Sequence, residues 1–313
     1  MKNVFLASMT DRKNRGRGKG TRTGATKTAF SPLTVVLLIV LILYALTLIG
    51  LLFWAVITSF KSQAEFRINI LGFPDKWVWN YGEVFRSFQV PVMAEDGTRY
   101  VSMGGMILNS VIYSFGCAIA STMTPCITAY LCAKFPFRFS KVVYFIVIVT
   151  MALPIVGSLP SELLVARTFG IYDRIWLLWI MKANFLGIYF LVFHAEFKSI
   201  PKEYTEAAKI DGAGNFTILF RIMLPLVRNT IFVIMLIKFI EFWNDYQTPL
   251  VFLPSYPTLA YGVFTLATTS VNNMSTVPMR MASAVMMLIP ILVVFLIFQK
   301  KIMSNVSVGG IKG

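Results

Sequence analysis

Long apolar runs alternate with polar stretches along most of the chain. The runs cover residues 33–59, 106–131, 142–160, 173–194, 228–250 and 281–299. Each approaches or exceeds the roughly 20 residues that a helix needs to cross a bilayer. Lipid offers the backbone no hydrogen-bond partners, so such runs must pair within themselves as helices. The pattern therefore predicts an all-α membrane protein with six transmembrane helices.

Composition supports lipid as the solvent. Hydrophobic residues make up 57% of the 313 residues and charged residues only 14%, whereas soluble domains have about 25% charged residues. The mean hydropathy is +0.70. With so few charges, the chain lacks the polar groups that would cover a water-facing surface. A soluble globular protein is therefore excluded.

Positive charge is distributed unevenly between the polar stretches. The chain has 29 Lys and Arg against 14 Asp and Glu. Eighteen of the Lys and Arg lie on the side of the N-terminus, in residues 1–32, 132–141, 195–226 and 299–313. Six lie on the opposite side, in residues 62–105, 166–174 and 251–279. Because loops rich in Lys and Arg stay in the cytoplasm, both termini are predicted to be cytoplasmic.

The runs and the polar stretches divide the chain into five parts. They are a basic disordered head (1–32), a first peripheral transmembrane helix (33–59), an extracytoplasmic loop (62–105), a five-helix core (106–299) and a cytoplasmic tail (300–313). A charged head and short basic loops suit contact with membrane lipid. They do not form the soluble basic face that nucleic acid requires.

Residues that would support catalysis are scarce. Cys117, Cys126 and Cys132 form no CxxC pair, and the only histidine, His194, has no neighbours at ligand spacing. Residues 18–20 are Gly-Lys-Gly, without the Ser or Thr of a phosphate-binding loop. We therefore expect no metal site, no cofactor and no enzymatic activity in this chain.

The cytoplasmic segment 195–226 is predicted to form two short helices around a glycine turn. PKEYTEAAKIDGA is rich in helix formers, and Gly212 with Gly214 supplies the turn. NFTILFRIML follows, with Asn215 as a candidate cap and Pro225 as its end. An apolar edge is left on these helices, namely Ile210, Phe216, Ile218 and Leu219. Either this edge packs on the chain's own helices, or it docks a soluble partner.

The same segment carries a family signature. EAAKIDGAGNFTILFRIMLP resembles the signature loop of ABC importer permeases, which is EAA, three residues, G, nine residues, I, one residue and LP. The resemblance implies a type I ABC importer permease fold, whose coupling helices sit in a cleft on a separate ATP-binding subunit. ATP and magnesium would bind that partner. The implied coupling residues are Glu206, Ala207, Ala208, Asp211, Gly212, Ile222, Leu224 and Pro225.

Two further stretches resemble permeases of maltose-type carbohydrate importers, and the later one resembles the second permease subunit of that group. FIEFWNDYQTPL resembles FxxxWNxFxxPL, with Tyr246 in place of Phe, and the end of the chain resembles QRxFVxGLTxGAVKG. Ser304, Val306 and Ser307 depart from that ending. In that group the tail lies near the ATP-binding subunits. The resemblance implies the same contact for Gly309, Gly310, Lys312 and Gly313.

Together these likenesses imply a heteromeric importer in the cytoplasmic membrane. Its other parts would be a second homologous permease, two ATP-binding subunits and an extracytoplasmic solute-binding protein, and its substrate would be a saccharide. Three alternatives stay open. They are an importer of a peptide or polyamine, a proton-driven secondary transporter, and a membrane scaffold without transport.

A path for a sugar needs aromatic faces and neutral or paired polar groups. The fifth run supplies candidates in Glu241, Trp243, Asn244, Tyr246 and Gln247. Trp243 suits a cavity wall and a lipid-interface belt equally. Glu241 also shares one helix face with Lys238 and Asp245. These charges predict either an internal salt bridge or a gate. The same two alternatives apply to Glu162 and Lys182.

Overall fold

The computed structural model describes residues 32–94, 97–135, 138–153, 157–268 and 276–306. Residues 1–31 of the predicted head lie outside the described residues. So do the four tail positions with a predicted partner contact, Gly309, Gly310, Lys312 and Gly313. The chain divides into two compact units, residues 1–52 and residues 53–313.

Helix α1 (Pro32–Thr58) begins in the first unit and ends in the second. It agrees with the predicted first span to within one residue at each end. Its 27 residues include no charge, and every side chain from Pro32 to Phe53 is exposed. A helix of this length extends about 40 Å, which is enough to cross a bilayer with some tilt. So much exposed apolar surface is stable only in lipid.

The remaining helices belong to the second unit. In chain order they are α2 (Gln63–Ile68), α3 (Asn80–Ser87), α4 (Met103–Lys134), α5 (Arg138–Ala152), α6 (Leu159–Thr168), α7 (Ile175–Lys182), α8 (Ile188–Ser199), α9 (Glu203–Ile210), α10 (Asn215–Ile218), α11 (Leu224–Leu226), α12 (Arg228–Asn244), α13 (Gln247–Phe252), α14 (Leu259–Thr268) and α15 (Val277–Val306). A π-helical turn (Leu219–Met223) joins α10 to α11.

A β-hairpin within the predicted loop 62–105 corrects the all-α prediction. Strand β1 (Gln89–Ala94) pairs antiparallel with β2 (Gly97–Ser102). Val90 and Val92 are buried, whereas Pro91 and Met93 between them are exposed. This is the two-residue alternation of a strand with one face on a core. The stretch 62–105 was predicted only as an extracytoplasmic loop, because its short alternating segment was not considered separately from its polar surroundings.

Three helices in the described part are long and apolar enough to cross a membrane, namely Pro32–Thr58, Met103–Lys134 and Val277–Gln299. A fourth candidate is the pair Asn215–Leu226 and Arg228–Asn244, whose axes differ by 74°. The predicted second and sixth spans are therefore observed, with α4 and α15 extending several residues beyond the predicted bounds. α5 is shorter than the predicted third span, and Pro160 of that span lies in the first turn of α6.

Two predicted spans are interrupted. The run 173–194 forms α7 and α8, with a break at residues 183–187 where Gly187 adopts φ +126°. The run 228–250 ends as a helix at Asn244 and resumes as α13. At this second break the carboxylate of Asp245 accepts the N–H of Thr248 at 3.0 Å. Local side-chain bonding of this kind competes with the helical ladder.

Helix α4 is the central element of the second unit and contacts α5, α7, α8, α12 and α14. Small residues allow the closest of these contacts. A Cβ added at Gly116 would lie only 1.9 Å from the Trp179 ring, so only glycine lets α7 pack against α4 in this way. α4 therefore holds α7, α8 and α12, which contribute to the cavity described below, in one arrangement.

Candidate functional site: a coupling surface and a central cavity

The coupling segment, residues 203–226, begins with a helix whose charges match its dipole. Glu203 and Glu206 lie in the first turn of α9, and Lys209 lies in the last. Acidic groups stabilise the N-terminal end of a helix and basic groups the C-terminal end. The intervening alanines favour helix and add no bulk. An eight-residue helix therefore forms on the predicted stretch.

A glycine ends this helix. Gly212 has φ +76°, and its N–H donates to the Lys209 carbonyl at 3.0 Å, while the Ala213 N–H donates to the Ala208 carbonyl at 2.9 Å. A positive φ at this position is favourable for glycine and strained for other residues. The second helix, α10, then starts at Asn215, with Gly214 in the capping position that was predicted for Asn215.

One side of the coupling segment is anchored in the core. Ala208, Ile218, Leu219 and Met223 are buried in a cluster with aromatic residues of α8. Of the two alternatives predicted for the apolar edge, Ile218 and Leu219 follow the first, because both pack on the chain's own helices. The anchored side fixes the segment to the transmembrane helices.

The other side of the segment is exposed. Ile210 is 86% exposed and Phe216 is 79% exposed, which confirms the other half of the predicted edge. Both flank a surface that also contains Glu206, Ala207 and Asp211, all exposed. Water-facing apolar side chains beside an acidic group are typical of a surface that another protein covers. We call these five residues the coupling surface.

The end of the coupling segment lies partly on the core. Ile222 and Leu224 are half-buried against the same cluster, and Pro225 is exposed. Pro225 does not end the helical path as predicted, because it occupies the first turn of α11, where its missing N–H costs nothing. The direction changes instead at Val227, before α12 begins.

A cavity of about 640 Å³ lies among the helices α4, α6, α7, α8 and α12. We call it the central cavity. It is lined by Ser121, Pro125, Ser158, Ser161, Glu162, Val165, Met181, Lys182, Asn184, Leu186, Tyr189, Phe190, Lys238, Glu241 and Phe242. These residues come from α4, α6, α7, α8, α12 and the connections beside them. Its volume is that of a small-molecule site.

The charged groups of the central cavity are mostly held by local partners. Lys238 Nζ lies 2.8 Å from Glu241 Oε2, one helical turn away on α12. The Lys238 ammonium also lies 5.1 Å from the centre of the Tyr189 ring, within the range of a cation–π contact. Ser158 Oγ donates to Glu162 Oε1 at 2.6 Å, and Lys182 Nζ lies 3.5 Å from Thr248 Oγ1. The predicted salt bridge is thus observed between Lys238 and Glu241, and both residues line the cavity.

Irregular backbone also reaches the central cavity. Residues 183–187, between α7 and α8, contribute Asn184 and Leu186 to its lining. Pro125 interrupts the hydrogen bonding of α4 at the same place. Non-helical backbone is tolerated at membrane depth only where it lines a cavity or is buried in protein. The break between α7 and α8 lines the cavity in this way, whereas α4 remains helical through Pro125.

The coupling surface and the central cavity share their structural support. Phe190 of α8 belongs to the cluster that buries Ile218 and Met223, and Phe190 also lines the cavity. On α12, Ile234 belongs to that cluster, and Lys238, one turn further on, lines the cavity. Displacement of the coupling segment would thus reach the cavity through packed side chains.

Residues 125–307, more than half of the chain, match the family of binding-protein-dependent transport system inner membrane components. The chain belongs to this family. The membership confirms the resemblance to importer permeases on which the sequence interpretation rested.

Individual relatives agree with this membership. The permease is 26% identical over 273 residues to the diacetylchitobiose uptake system permease protein NgcG of Streptomyces coelicolor, with 86% of each chain covered. It is 27% identical over 260 residues to the melibiose/raffinose/stachyose import permease protein MelC of Bacillus subtilis, which covers 82% of this chain and 88% of that protein.

A solved structure shows the same fold. It is a crystal structure of a bacterial ABC transporter involved in the import of the acidic polysaccharide alginate. The TM-score is 0.70 at 23% identity, with 86% of this permease and 95% of that chain covered. The permease therefore has an ABC importer permease fold.

Most of the predicted path residues lie outside the central cavity. Only Glu241 lines it. Trp243 is 2% exposed, and its Nε1–H donates to the Met287 carbonyl at 3.1 Å, so it packs α12 against α15. Asn244 is exposed and donates to the Ile240 carbonyl of its own helix at 2.8 Å. Tyr246 stacks on Phe264 at 4.3 Å, and Gln247 is exposed.

Asp245 does not join the charged pair on its helix face. Its carboxylate accepts the hydroxyl of Tyr113 at 2.8 Å and thereby ties the end of α12 to α4. The sequence interpretation did not include Ser121, Ser158, Ser161, Asn184, Tyr189 or Phe190 in the path. The useful signal was the interruption of an apolar run at Gly187, because broken helices mark binding sites in transporters.

Proposed function

We propose that this permease is the gate and lever of an ATP-driven importer that takes up a saccharide delivered by a binding protein. The observation that carries the proposal is the shared support of the coupling surface and the central cavity. Phe190 packs on the buried side of the coupling segment and lines the cavity. A contact made outside the membrane can thus act on the path inside it.

The energy is proposed to come from two partner ATP-binding subunits. Each would bind ATP and magnesium, and their closure would move the helix α9 docked on them. Because packed interiors transmit displacement rather than absorb it, α8 and α12 would move with it. The central cavity would open outward when ATP binds and inward after hydrolysis. The coupling residues Glu206, Ala207, Ala208, Asp211, Gly212, Ile222, Leu224 and Pro225 retain this proposed role.

The proposed topology has six crossings with both termini in the cytoplasm. α1, α4 and α15 would cross as long helices. α5, the broken pair α7 and α8, and α12 would supply the other three crossings. The distribution of Lys and Arg supports this orientation. The coupling surface then faces the cytoplasm, and the β-hairpin faces the side from which a binding protein delivers substrate.

A second homologous permease is the proposed partner within the membrane. On α15, Leu292, Phe295, Leu296 and Ile297 are 46% to 65% exposed. This face is available to lipid or to another transmembrane subunit. A contact of the tail residues Gly309, Gly310, Lys312 and Gly313 with the ATP-binding subunits stays a prediction.

A saccharide suits the lining of the central cavity. Tyr189 offers a ring face, and Ser121, Ser161 and Asn184 offer neutral hydrogen-bonding groups. The charges in the lining are two lysines and two glutamates, so neither sign dominates. Hydroxyl-rich neutral ligands bind through such a mixture of apolar faces and polar groups. The names of NgcG and MelC, which refer to saccharide uptake, support this substrate class.

A peptide or polyamine is the second candidate, because Glu162 and Glu241 would bind amines. The test uses the permease reconstituted in proteoliposomes with its partner subunits. ATP hydrolysis is measured with the binding protein empty, loaded with an oligosaccharide, or offered a peptide or polyamine. We expect stimulation by the saccharide-loaded form alone. Stimulation by the amine instead would overturn the substrate assignment, and uptake driven by a proton gradient without ATP would overturn the importer.

A further inference from the structure

A second cavity, of about 540 Å³, opens where the end of α4, the start of α5 and the end of α8 meet. We call it the basic crevice. It is lined by Cys132, Ala133, Ser140, Lys141, Tyr144, His194, Ala195 and Lys198. It shares no lining residue with the central cavity, and neither the coupling surface nor the proposed path uses it.

The lining of the basic crevice is positively charged. Lys141 lies near the start of α5 and Lys198 near the end of α8, and both are exposed. No Asp or Glu is among its lining residues. The salt bridge in the described part of the chain joins Lys238 to Glu241. Neither Lys141 nor Lys198 therefore has a carboxylate partner among the described residues. Two lysines on different helices therefore line one cavity that has no acidic residue in its lining.

His194 adds a polar group to the same lining. Its ring lies 5.0 Å from the Tyr144 ring and stacks on Phe190 at 5.9 Å. This packing holds the imidazole beside Lys198, which lies one turn further along α8. The crevice thus combines two cations, a fixed imidazole and the Tyr144 side chain. These groups suit the several oxygens of one phosphate.

An apolar strip leads away from the basic crevice along α5. The side chains of Phe139, Val142, Phe145 and Ile146 are 70%, 49%, 65% and 42% exposed. Lys141 and Tyr144 lie on the same helix between these positions. A charged head beside an exposed apolar strip has the polarity of a phospholipid at a membrane boundary.

We propose that the basic crevice binds the phosphate headgroup of an anionic phospholipid from the cytoplasmic leaflet, with its acyl chains along α5. The choice of leaflet rests on the orientation given under the proposed function. The cytoplasmic leaflet carries anionic lipid, and basic pockets between membrane helices on that side bind lipid headgroups. A soluble phosphate would use the lysines but would leave the apolar strip unused.

The test measures lipid that stays bound to the complete importer complex. The complex is reconstituted in liposomes of phosphatidylglycerol and phosphatidylcholine in equal amounts, extracted, and examined by native mass spectrometry. The Lys141→Gln/Lys198→Gln variant is compared with Lys76→Gln/Arg86→Gln, which removes two exposed cations from the 62–105 loop. Lys141→Arg/Lys198→Arg preserves the charge and serves as the rescue.

We expect the Gln variant of the crevice to lose retained phosphatidylglycerol roughly tenfold, with phosphatidylcholine unchanged. The loop variant and the Arg variant should match the unmodified complex. Unchanged retention in the Gln variant would overturn the proposal. So would full displacement of phosphatidylglycerol by excess inorganic phosphate, because the crevice would then be a soluble-anion site. Loss of the ATP-binding subunits with lipid retained would show a protein interface instead.

This measurement needs neither substrate nor ATP hydrolysis. Its failure would leave the importer proposal standing, and failure of the ATPase test would leave the lipid site standing.

Discussion

The coupling surface and the central cavity are built in different ways. The coupling surface comes from one short stretch, residues 206–216, whose helix, glycine turn and second helix follow one another in the chain. The central cavity draws its lining from α4, α6, α7, α8 and α12, with residues as far apart as Ser121 and Phe242. A docking surface formed by neighbouring residues can be predicted from the sequence, whereas a cavity depends on how helices that are distant in the chain pack together. Substitutions in the coupling surface should therefore change ATP hydrolysis and its coupling to transport, and substitutions in the central cavity should change substrate uptake.

Reversal of the charge at Glu206 should have the largest effect. Glu206→Lys places a cation on the coupling surface, and we expect at least a tenfold loss of substrate-stimulated ATP hydrolysis, equivalent to about 1.4 kcal/mol. Glu203→Lys is the matched control, since Glu203 is exposed on the same helix but lies outside the signature. Equal losses in both variants would show that helix charge matters and the signature does not.

Gly212→Val should have the next largest effect. A β-branched residue at φ +76° costs about 1–2 kcal/mol, which would tilt α9 and reduce stimulated hydrolysis severalfold. Gly214→Ala is the control, because Gly214 has no positive φ and an added Cβ meets nothing within 4 Å. ATPase assays on both reconstituted variants test this. If Gly214→Ala is the more damaging change, the turn does not act through its backbone conformation.

Substitution in the central cavity should separate uptake from assembly. Glu241→Gln removes the charge partner of Lys238 without changing shape. We expect a change in substrate uptake of about threefold to tenfold, corresponding to the roughly 1 kcal/mol of one polar contact. Co-purification of the partner subunits should be unaffected. Uptake assays with saccharides of different length measure the effect, and reduced co-purification would assign Glu241 to packing.

Trp243→Phe should have the smallest effect and should leave the substrate profile unchanged. It removes the hydrogen bond to the Met287 carbonyl and keeps most of the buried ring. We expect a loss of thermal stability in detergent that corresponds to about 1 kcal/mol. A shift in substrate preference would contradict this assignment and would show that Trp243 contributes to the substrate path.

The sequence predicts what depends on local patterns. Apolar length located α1, α4 and α15, and spacing located the coupling segment. It did not predict that Ile218 and Leu219 turn inward, because burial of α10 depends on aromatic residues of α8 that are about 20 positions away. Nor did the sequence show that Glu241 lines the cavity while Trp243 is buried against α15. The two lie on different faces of α12, and only the packing of α15 decides which face is covered.

The cavity was harder to predict for the same reason. Tyr189 and Asn184 lie in an apolar run that resembles the other runs of the chain. Their place in the cavity lining cannot be predicted without knowing that the break at Gly187 reaches the cavity. Broken helices within apolar runs carry this information, but a single glycine is too common to identify such a break on its own.

The central claim is that a contact on the coupling surface changes the central cavity. Glu241→Cys places a thiol in the cavity lining, and the three native cysteines are buried and give little background. The rate of labelling by a membrane-impermeant maleimide from the outer side is measured in proteoliposomes with the complete importer. We predict that an ATP analogue raises this rate severalfold, and that adding Glu206→Lys abolishes the increase. A labelling rate that does not change when the ATP analogue is added would contradict the account. So would a labelling rate that still increases in the Glu206→Lys variant.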